Sequence, residues 1–336
     1  MKILDCTLRD GANVVGNGFD AETTESIVRG LLDHGIRDIE LGNAKGLSAE
    51  RIQGGAAPLT DREYMELVQP FLGQGRLGMF QMARYADRRD IRLAREMGLH
   101  FLRVGANAGD GKGACEAVRM VKEEGLFCRY SLMKAYVLTP EKLAGEAAML
   151  EKVGVDGLTV MDSAGTMLPE ETAAYVKALK AAVSVPVGFH GHSNLGLAQA
   201  NALAATEAGA DEIDGGLLGM ARSAGNCATE LAVAALQRKG ELENVDLYGL
   251  LDYLEQELIP RMKAWDYKPA VEPTELILGL VGCHSSTLPV FDAVAKERGV
   301  PLRRLIAAVS VVDRKSPSEM LIRKTADRLV RDEKGM

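Results

Sequence analysis

Apolar and polar positions along the chain form a repeated pattern: a helix-period segment ends in glycine, and a short apolar run follows. The pattern occurs as LLDHG-IRDIEL (31–41), AREMG-LHFLRV (94–104), VKEEG-LFCRYSL (121–132), EKVG-VDGLTV (151–160) and EAG-ADEIDG (207–215). Glycine ends a helix readily because it adopts a left-handed backbone without a Cβ clash. The runs that follow are short and bounded by turn residues, which is typical of strands buried on both faces.

Eight such runs are predicted as strands, and helix-period segments separate them. They span residues 2–6, 37–42, 76–82, 101–105, 126–133, 155–161, 185–190 and 211–215. Strict alternation of strand and helix predicts a parallel α/β sheet, and eight units predict a closed (β/α)8 TIM barrel. An open doubly wound sheet is the alternative, but no GxGxxG motif follows the first strand.

The alternation of predicted strands and helices ends at about residue 240. Segments 246–264, 285–298 and 317–333 have the pattern of helices, without a strand signal of comparable strength. We therefore expect a TIM-barrel catalytic domain over 1–240 and a small helical C-terminal domain over 241–336.

Charge and cysteine content narrow the classes of partner and compartment. A net charge of -7 argues against nucleic acid or an anionic membrane surface as the main partner. No apolar run is long enough to cross a bilayer, and the start MKILDCTLRDG lacks a signal-peptide core. Five cysteines without a CxxC pair indicate a reduced, cytoplasmic chain. A small-molecule substrate and a homo-oligomer are expected.

Candidate chemistry lies where the predicted strands end, because the carboxyl ends of barrel strands form the active face. GFHGHSN (188–194) places His190 and His192 two residues apart at the end of strand 7, so both imidazoles point to the same side. Asp10 ends strand 1, two positions around the closed barrel. Two imidazoles and a carboxylate suit a divalent metal such as Mn²⁺, Zn²⁺ or Fe²⁺ with open coordination positions. The alternative is a chance pair of surface histidines.

Further polar residues follow other strands. Arg9 stands beside Asp10, either in a structural salt bridge or aimed at a substrate carboxylate or a developing oxyanion. Asn43 and Ser163 follow strands 2 and 6 and are candidate substrate contacts, and Asn226, after strand 8, is a candidate further metal ligand.

Four motifs carry a family likeness: LDCTLRDG (4–11), MDSAGTM (161–167), GFHGHSNLGLAQAN (188–201) and SAGNCATEL (223–231). Together they resemble the superfamily of divalent-metal lyases and Claisen synthases. MKAYVLTPEKL (133–143) and LGLVGCHSS (278–286) extend the likeness to the 4-hydroxy-2-oxovalerate aldolases, the class II pyruvate aldolases.

The resemblance implies a reaction and a role for each matched residue. Asp10, His190 and His192 would bind the metal, with Mn²⁺ expected and Mg²⁺, Co²⁺ or Zn²⁺ as alternatives. The metal would take the keto and carboxylate oxygens of a 2-oxo acid. Arg9 would stabilise the metal-bound enolate of pyruvate that forms when a 4-hydroxy-2-oxo acid loses its aldehyde. The family also commonly works with an acylating aldehyde dehydrogenase.

Two departures from the aldolase pattern concern the catalytic base. Asn13 stands where that branch has the histidine that takes the 4-hydroxyl proton, and His284 stands where it has a tyrosine. We hypothesise that His284 has become the catalytic base and that Asn13 only hydrogen-bonds, since histidine titrates near neutrality. The alternatives are a different substrate, or a His284 that merely caps a helix.

Two other functions remain open on the sequence. SAGNCATEL also resembles acyl-CoA-dependent enzymes of the isopropylmalate synthase or hydroxymethylglutaryl-CoA lyase type, and Arg222 would then meet a phosphate. Loss of the usual base is also compatible with a metal-binding pseudoenzyme. The retention of Arg9, Asp10 and both histidines favours an enzyme.

Overall fold

Eight parallel strands close into a barrel in the computed structural model, which describes residues 1–283 and 285–334. The strands are β1 Lys2–Asp5, β2 Asp38–Leu41, β3 Arg76–Met82, β4 Phe101–Asn107, β5 Phe127–Met133, β6 Gly157–Asp162, β7 Val187–Gly191 and β8 Glu212–Gly215. Each strand pairs with the next along the chain, and β8 pairs with β1. The predicted TIM barrel is confirmed, and the predicted strand limits differ from these by at most two residues.

Helices follow the strands in the predicted alternation. They are α1 Ala21–Asp33, α2 Asp61–Val68, α3 Arg88–Glu96, α4 Gly111–Glu123, α5 Pro140–Val153, α6 Pro169–Ala182, α7 Ala198–Glu207 and α8 Thr229–Gln237. The glycine junctions behave as predicted. Gly154, for example, ends α5 at a φ of 116° and donates its N–H to the carbonyls of Leu150 and Glu151. The chain thus leaves each helix directly toward the next strand.

A run of helices follows the barrel. It comprises α9 Leu247–Tyr253, a π-helical turn Leu254–Leu258, α10 Ile259–Met262, α11 Pro273–Val281, α12 Leu288–Arg298, α13 Leu302–Val312 and α14 Glu319–Lys334. The sequence interpretation missed α11 and α13. LRRLIAAVSVV (302–312) carries three β-branched valines near its end and no Ser, Thr, Asp or Asn before it, so it lacks the usual signals of a helix start. Its apolar face is nevertheless buried, through Leu305, Ile306 and Val309.

The hydrophobic core lies mainly between the strands and the surrounding helices, and it continues into the C-terminal helices through residues such as Leu250 and Phe291. The inside of the barrel is different. Leu4, Cys6 and Phe101 form a small separate apolar cluster there, and buried arginine–carboxylate pairs fill much of the remaining space. In the part of the chain that the structure describes, no helix has the length and apolarity to span a membrane.

Candidate metal centre and substrate cavity

Asp10 is placed by a tight turn at the end of β1. The carbonyl of Cys6 accepts the backbone N–H groups of Arg9, Asp10 and Gly11 at 3.1, 2.8 and 3.2 Å. This fan of hydrogen bonds stops the strand and directs the chain into a short turn of 3-10 helix over Gly11–Val15. The side chain of Asp10 is thereby held inside the barrel mouth, where it is almost wholly buried.

His190 and His192 meet Asp10 as the sequence predicts. His190 lies in β7 and His192 just beyond it, and the Nε2 atom of each lies 3.6 Å from Asp10 Oδ2. One potential ligand atom from each of the three residues lies within 4.8 Å of the others. Three buried N and O donors that converge without sulfur form half of an octahedral shell, which fits a divalent cation that keeps open positions.

The outer nitrogen of His190 faces Asp214 in β8. His190 Nδ1 lies 3.0 Å from Asp214 Oδ2, whereas its Nε2 is buried and has no hydrogen-bond partner among the described residues. A carboxylate on Nδ1 fixes the tautomer that leaves the Nε2 lone pair free for a metal. A buried imidazole nitrogen without a partner is costly, so its position supports a ligand role.

Neighbouring positive groups keep the Asp10 carboxylate ionised. Burial disfavours the charged carboxylate, but Arg9 and the two histidines outweigh it, so the pKa of Asp10 lies well below its usual value. Burial and the neighbouring His190 lower the pKa of His192 to about 4, which keeps that imidazole neutral and able to bind a metal. The pKa of His190 is raised, because the neighbouring carboxylates of Asp10 and Asp214 together outweigh the effect of burial.

Arg9 is held rigidly beside these ligands. Its Nε lies 2.5 Å from Glu40 Oε1, its Nη1 lies 3.0 Å from Asp10 Oδ1, and its guanidinium carbon stands 4.9 Å from the centre of the Phe80 ring. Its Nη2 is buried and has no hydrogen-bond partner among the described residues. A fixed guanidinium with one free donor can receive an oxygen with developing negative charge.

A second buried arginine supports both sides of this site. Arg103 in β4 is fully buried, with its Nε 2.6 Å from Glu40 Oε2 and its Nη1 in an ion pair with Asp214. It therefore links the carboxylate that holds Arg9 to the carboxylate that holds His190. Cys6, His190 and Asp214 also lie close enough to hold a metal. Arg103 already neutralises Asp214, and burial raises the pKa of the Cys6 thiol, so that second group is a support rather than a metal site.

Two asparagines contact Asp10. Asn226 Nδ2 donates to Asp10 Oδ2 at 2.9 Å, and its Oδ1 is buried without a hydrogen-bond partner in the described part of the chain. Asn13 Nδ2 donates to the Asp10 carbonyl at 2.8 Å and to Asp10 Oδ1 at 3.3 Å. Asn226 thus touches the candidate ligand set, and its role as a further ligand stays a prediction. Asn13 hydrogen-bonds Asp10, and its role in catalysis stays a prediction.

The remaining candidate residues fall in different places. Ser163 lines the cavity, and its Oγ accepts the backbone N–H of Lys134 at 3.0 Å. Asn43 is buried in the loop after β2, where it donates to the Gly55 carbonyl at 2.6 Å and accepts from the Lys45 N–H at 3.0 Å. Asn43 therefore ties that loop together, and its substrate contact stays a prediction. His284 lies outside the described residues.

A cavity of about 570 Å³ opens above Asp10, His190 and His192. Apolar side chains cover part of its wall, namely Ile52, Phe80, Met82, Met133 and Met161. Cationic side chains from several loops share the remainder: Lys45, Arg84, Lys134 and Arg222. The space accommodates a small organic acid placed with one end at the candidate metal centre.

A family model described as HMGL-like matches residues 1–256. The chain belongs to the HMGL-like family. Membership accounts for the strand-1 and strand-7 motifs, which supply Asp10, His190 and His192 to one site.

Curated relatives narrow the branch. The 4-hydroxy-2-oxovalerate aldolase 2 of Nocardia farcinica is 37% identical over 304 residues, covering 90% of this chain and 87% of its own. The 4-hydroxy-2-oxovalerate aldolase of Carboxydothermus hydrogenoformans is 35% identical over 306 residues, covering 91% of this chain and 90% of its own. The relationship predicted from the motifs is confirmed.

Solved structures confirm the fold of this HMGL-like protein. The hydroxymethylglutaryl-CoA lyase of Pseudomonas aeruginosa superposes with a TM-score of 0.66 at 18% identity, covering 83% of this chain and 97% of its own. The HMG-CoA lyase of Bacillus subtilis gives a TM-score of 0.65 at 18% identity, covering 80% of this chain and 95% of its own. At this identity the likeness concerns the barrel alone.

Sequence reasoning missed the residues that support the ligands. Asp214 and Arg103 were read only as parts of strands. A signal existed in EIDG (212–215), since two acids two residues apart in a buried strand must point to one side and need partners there. Arg84 and Lys134, two cations of the cavity wall, were also missed. Arg84 stands in a loop without a motif, and Lys134 belongs to MKAYVLTPEKL (133–143), a motif that assigns it no role.

Proposed function

We propose that this protein is a divalent-metal-dependent aldolase. It would cleave a 4-hydroxy-2-oxo acid into pyruvate and an aldehyde, or form the acid from these two compounds. The single observation that carries the proposal is the juxtaposition at Asp10. Its carboxylate contacts two imidazoles on one side and the fixed guanidinium of Arg9 on the other, at the floor of one cavity. The aldolase names of relatives at 35–37% identity support it.

Asp10, His190 and His192 would hold the metal, and Asn226 would join them through Oδ1. A mixed oxygen and nitrogen set without thiolate suits several divalent ions, of which we expect Mn²⁺, with Mg²⁺, Co²⁺ or Zn²⁺ as alternatives. When bound, such an ion supplies Lewis-acid stabilisation of negative oxygen charge. The fit rests on the buried unpartnered atoms His190 Nε2 and Asn226 Oδ1.

Arg9 supplies the hydrogen bond that strengthens as the C3–C4 bond breaks. Cleavage leaves the electron pair of that bond on the pyruvate half, and the charge collects on its former keto oxygen. Glu40 and Asp10 hold two edges of the guanidinium, so Nη2 needs no reorganisation to donate to that oxygen. A preorganised donor of this kind typically contributes about 3 kcal/mol of barrier lowering.

The proton on the 4-hydroxyl must leave to a base other than Asn13. An amide does not accept a proton near neutral pH, and the Asn13 amide is already engaged by Asp10. His284 remains our candidate for that base. Ser163 lines the cavity wall and would hydrogen-bond a substrate oxygen.

Metal-reconstituted cleavage tests the proposal. Mn²⁺-loaded protein is offered 4-hydroxy-2-oxo acids of different lengths without CoA, and pyruvate release is followed by a coupled dehydrogenase. The proposal predicts release that EDTA abolishes and Mn²⁺ restores. Release only after CoA or an acyl-CoA is added would instead establish the Claisen or CoA-lyase class, and metal binding without any turnover would point to a pseudoenzyme.

A further inference from the structure

The cavity wall carries far more positive than negative charge. Apart from Arg9, it presents four cationic side chains, Lys45, Arg84, Lys134 and Arg222, whereas Asp10 is its only carboxylate among the described residues. The whole chain, by contrast, has a net charge of -7. An acidic protein that concentrates cations around one cavity attracts anions to it.

These cations are not neutralised by the protein. Within the described residues, none of the four has a carboxylate oxygen within 4.0 Å of its charged nitrogens, although most buried arginines of the barrel do. Lys45 donates to the Gly54 carbonyl, and the Arg84 guanidinium stacks 4.7 Å from the Tyr85 ring centre. Lys134 and Arg222 have neither kind of partner, so their charges are available to a ligand.

Exposed lysines and arginines usually serve only to keep a protein soluble. Two features favour a binding role for these four side chains instead. The four side chains come from the loops after β2, β3, β5 and β8 and yet line one cavity. In addition, Lys134 has a left-handed backbone with φ of 54°, and Ser163 Oγ accepts its N–H. A lysine in that conformation costs free energy that glycine or asparagine would avoid, and such strain concentrates at functional positions.

We propose that the aldehyde half of the substrate carries an anionic group, a carboxylate or a phosphate, that Lys134, Arg222 and Arg84 bind. The inference rests on the aldolase function proposed above and names its substrate class. Arg9 and the candidate metal ligands would take the pyruvate half. Lys134, Arg222 and Arg84 stand on other loops of the same cavity, so we assign them to a second negative charge. Met133 and Met161 also line this cavity.

The proposed reaction is an ordinary aldol addition and its reverse. In the forming direction a C3–H bond of pyruvate breaks, its proton leaves to a base, and the new C3–C4 bond forms. The aldehyde oxygen gains a proton and becomes the 4-hydroxyl. The distant anionic group is unchanged and no oxidant or reductant is needed.

A panel of aldehydes with Mn²⁺-loaded full-length protein and pyruvate tests the inference. Succinic semialdehyde is compared with butanal, and glyceraldehyde 3-phosphate with glyceraldehyde, with the product measured by mass spectrometry. The wild type is expected to show kcat/KM at least about tenfold higher for one anionic aldehyde than for its neutral counterpart, as a charge-assisted hydrogen bond provides. The preferred pair identifies the group as carboxylate or phosphate.

Variants then assign the selectivity to the rim. Lys134→Gln and Arg222→Gln should each reduce the anionic-to-neutral ratio by about tenfold. Arg119→Gln and Lys177→Gln, exposed on α4 and α6 outside the cavity, should keep the wild-type ratio. A ratio that stays at the wild-type value in both rim variants overturns the assignment.

Deuterium exchange at C3 of pyruvate, measured without any aldehyde, separates the two levels of the proposal. Exchange combined with equal or better use of neutral aldehydes overturns the anionic substrate class and leaves the aldolase function standing. Absence of metal-dependent exchange overturns both. Exchange combined with an anionic preference supports both.

Discussion

His190 Nδ1 and Asp214 Oδ2 lie 3.0 Å apart inside the barrel, with both side chains almost completely buried. This contact connects a candidate metal ligand in β7 to the neighbouring strand β8. Arg103 binds the same carboxylate from β4 on the other side of the barrel. The orientation of the imidazole is therefore fixed by two buried residues that do not line the cavity.

Asp214→Asn should weaken Mn²⁺ binding by about 10–100-fold, because loss of the charged acceptor lowers the basicity of His190 and frees its orientation. Mn²⁺ titration of metal-stripped protein by calorimetry measures this. Asp292→Asn, at a surface ion pair on α12, is the matched control and should bind Mn²⁺ as the wild type does. An Asp214→Asn affinity within twofold of the wild type would remove Asp214 from the account.

Gly165→Ala should disturb the loop that carries His192. A Cβ there would lie 2.5 Å from the Asn194 nitrogen and 2.6 Å from the His192 carbonyl oxygen, distances that neither backbone can tolerate. Gly196→Ala is a close control, since its φ of 72° is also positive but a Cβ there meets nothing within 4 Å. We expect Gly196→Ala to lose about 1 kcal/mol of stability. Gly165→Ala should lose more and also bind Mn²⁺ more weakly; equal effects would show that sterics at Gly165 do not matter.

Arg103→Met should lower the free energy of unfolding by about 3–5 kcal/mol, because it leaves Glu40 and Asp214 as buried charges without their shared cation. Urea denaturation followed by circular dichroism measures the change. Arg119→Met, on the exposed side of α4, should change stability by less than about 0.5 kcal/mol. If the two variants lost equal stability, the network would not be needed for folding.

Most strands of the barrel can be predicted from the glycines that end the preceding helices. The pattern of helix, glycine and apolar run depends on local chemistry alone, so strand limits could be predicted to within two residues. The meeting of Asp10 with His190 and His192 was predictable too, because side chains two apart share a face and strand ends share a rim.

The interior ion network is long-range and so escaped prediction. Arg103 and Asp214 are 111 positions apart, and only the closed barrel brings them together. The two acids of EIDG (212–215) indicate locally that partners are needed, but not which distant residues those partners are. The helix Leu302–Val312 was missed for a related reason: tertiary burial of its apolar face overrides weak local helix signals.

Glu230 gives the stability a pH dependence. It is buried on α8, and burial raises its pKa from 4.5 to about 7, while the Leu218 N–H donates to its carboxylate. At a pH between these two pKa values, Glu230 is protonated in the folded protein and ionised in the unfolded chain. Its contribution to the free energy of unfolding therefore falls as pH rises. Glu230→Gln should therefore gain stability relative to the wild type between pH 5 and pH 8, by up to about 3 kcal/mol.

Denaturant titrations of both proteins at the two pH values measure that difference, and other groups cancel in the comparison. Glu207→Gln, whose carboxylate pairs with Lys239 at the surface, is the control and should show no such gain. The same stability difference between Glu230→Gln and the wild type at both pH values would contradict a raised pKa at this site.

We propose that Asp10, His190 and His192 form the pyruvate enolate together with a bound divalent ion and Arg9. Deuterium entry at C3 of pyruvate in D2O, measured by mass spectrometry on Mn²⁺-loaded and EDTA-treated protein, reports enolate formation. We expect exchange that requires Mn²⁺, is lost in Asp10→Asn together with Mn²⁺ binding, and falls at least about 100-fold in Arg9→Lys while Mn²⁺ stays bound. Exchange that survives EDTA, or an Arg9→Lys variant as fast as the wild type, would contradict it.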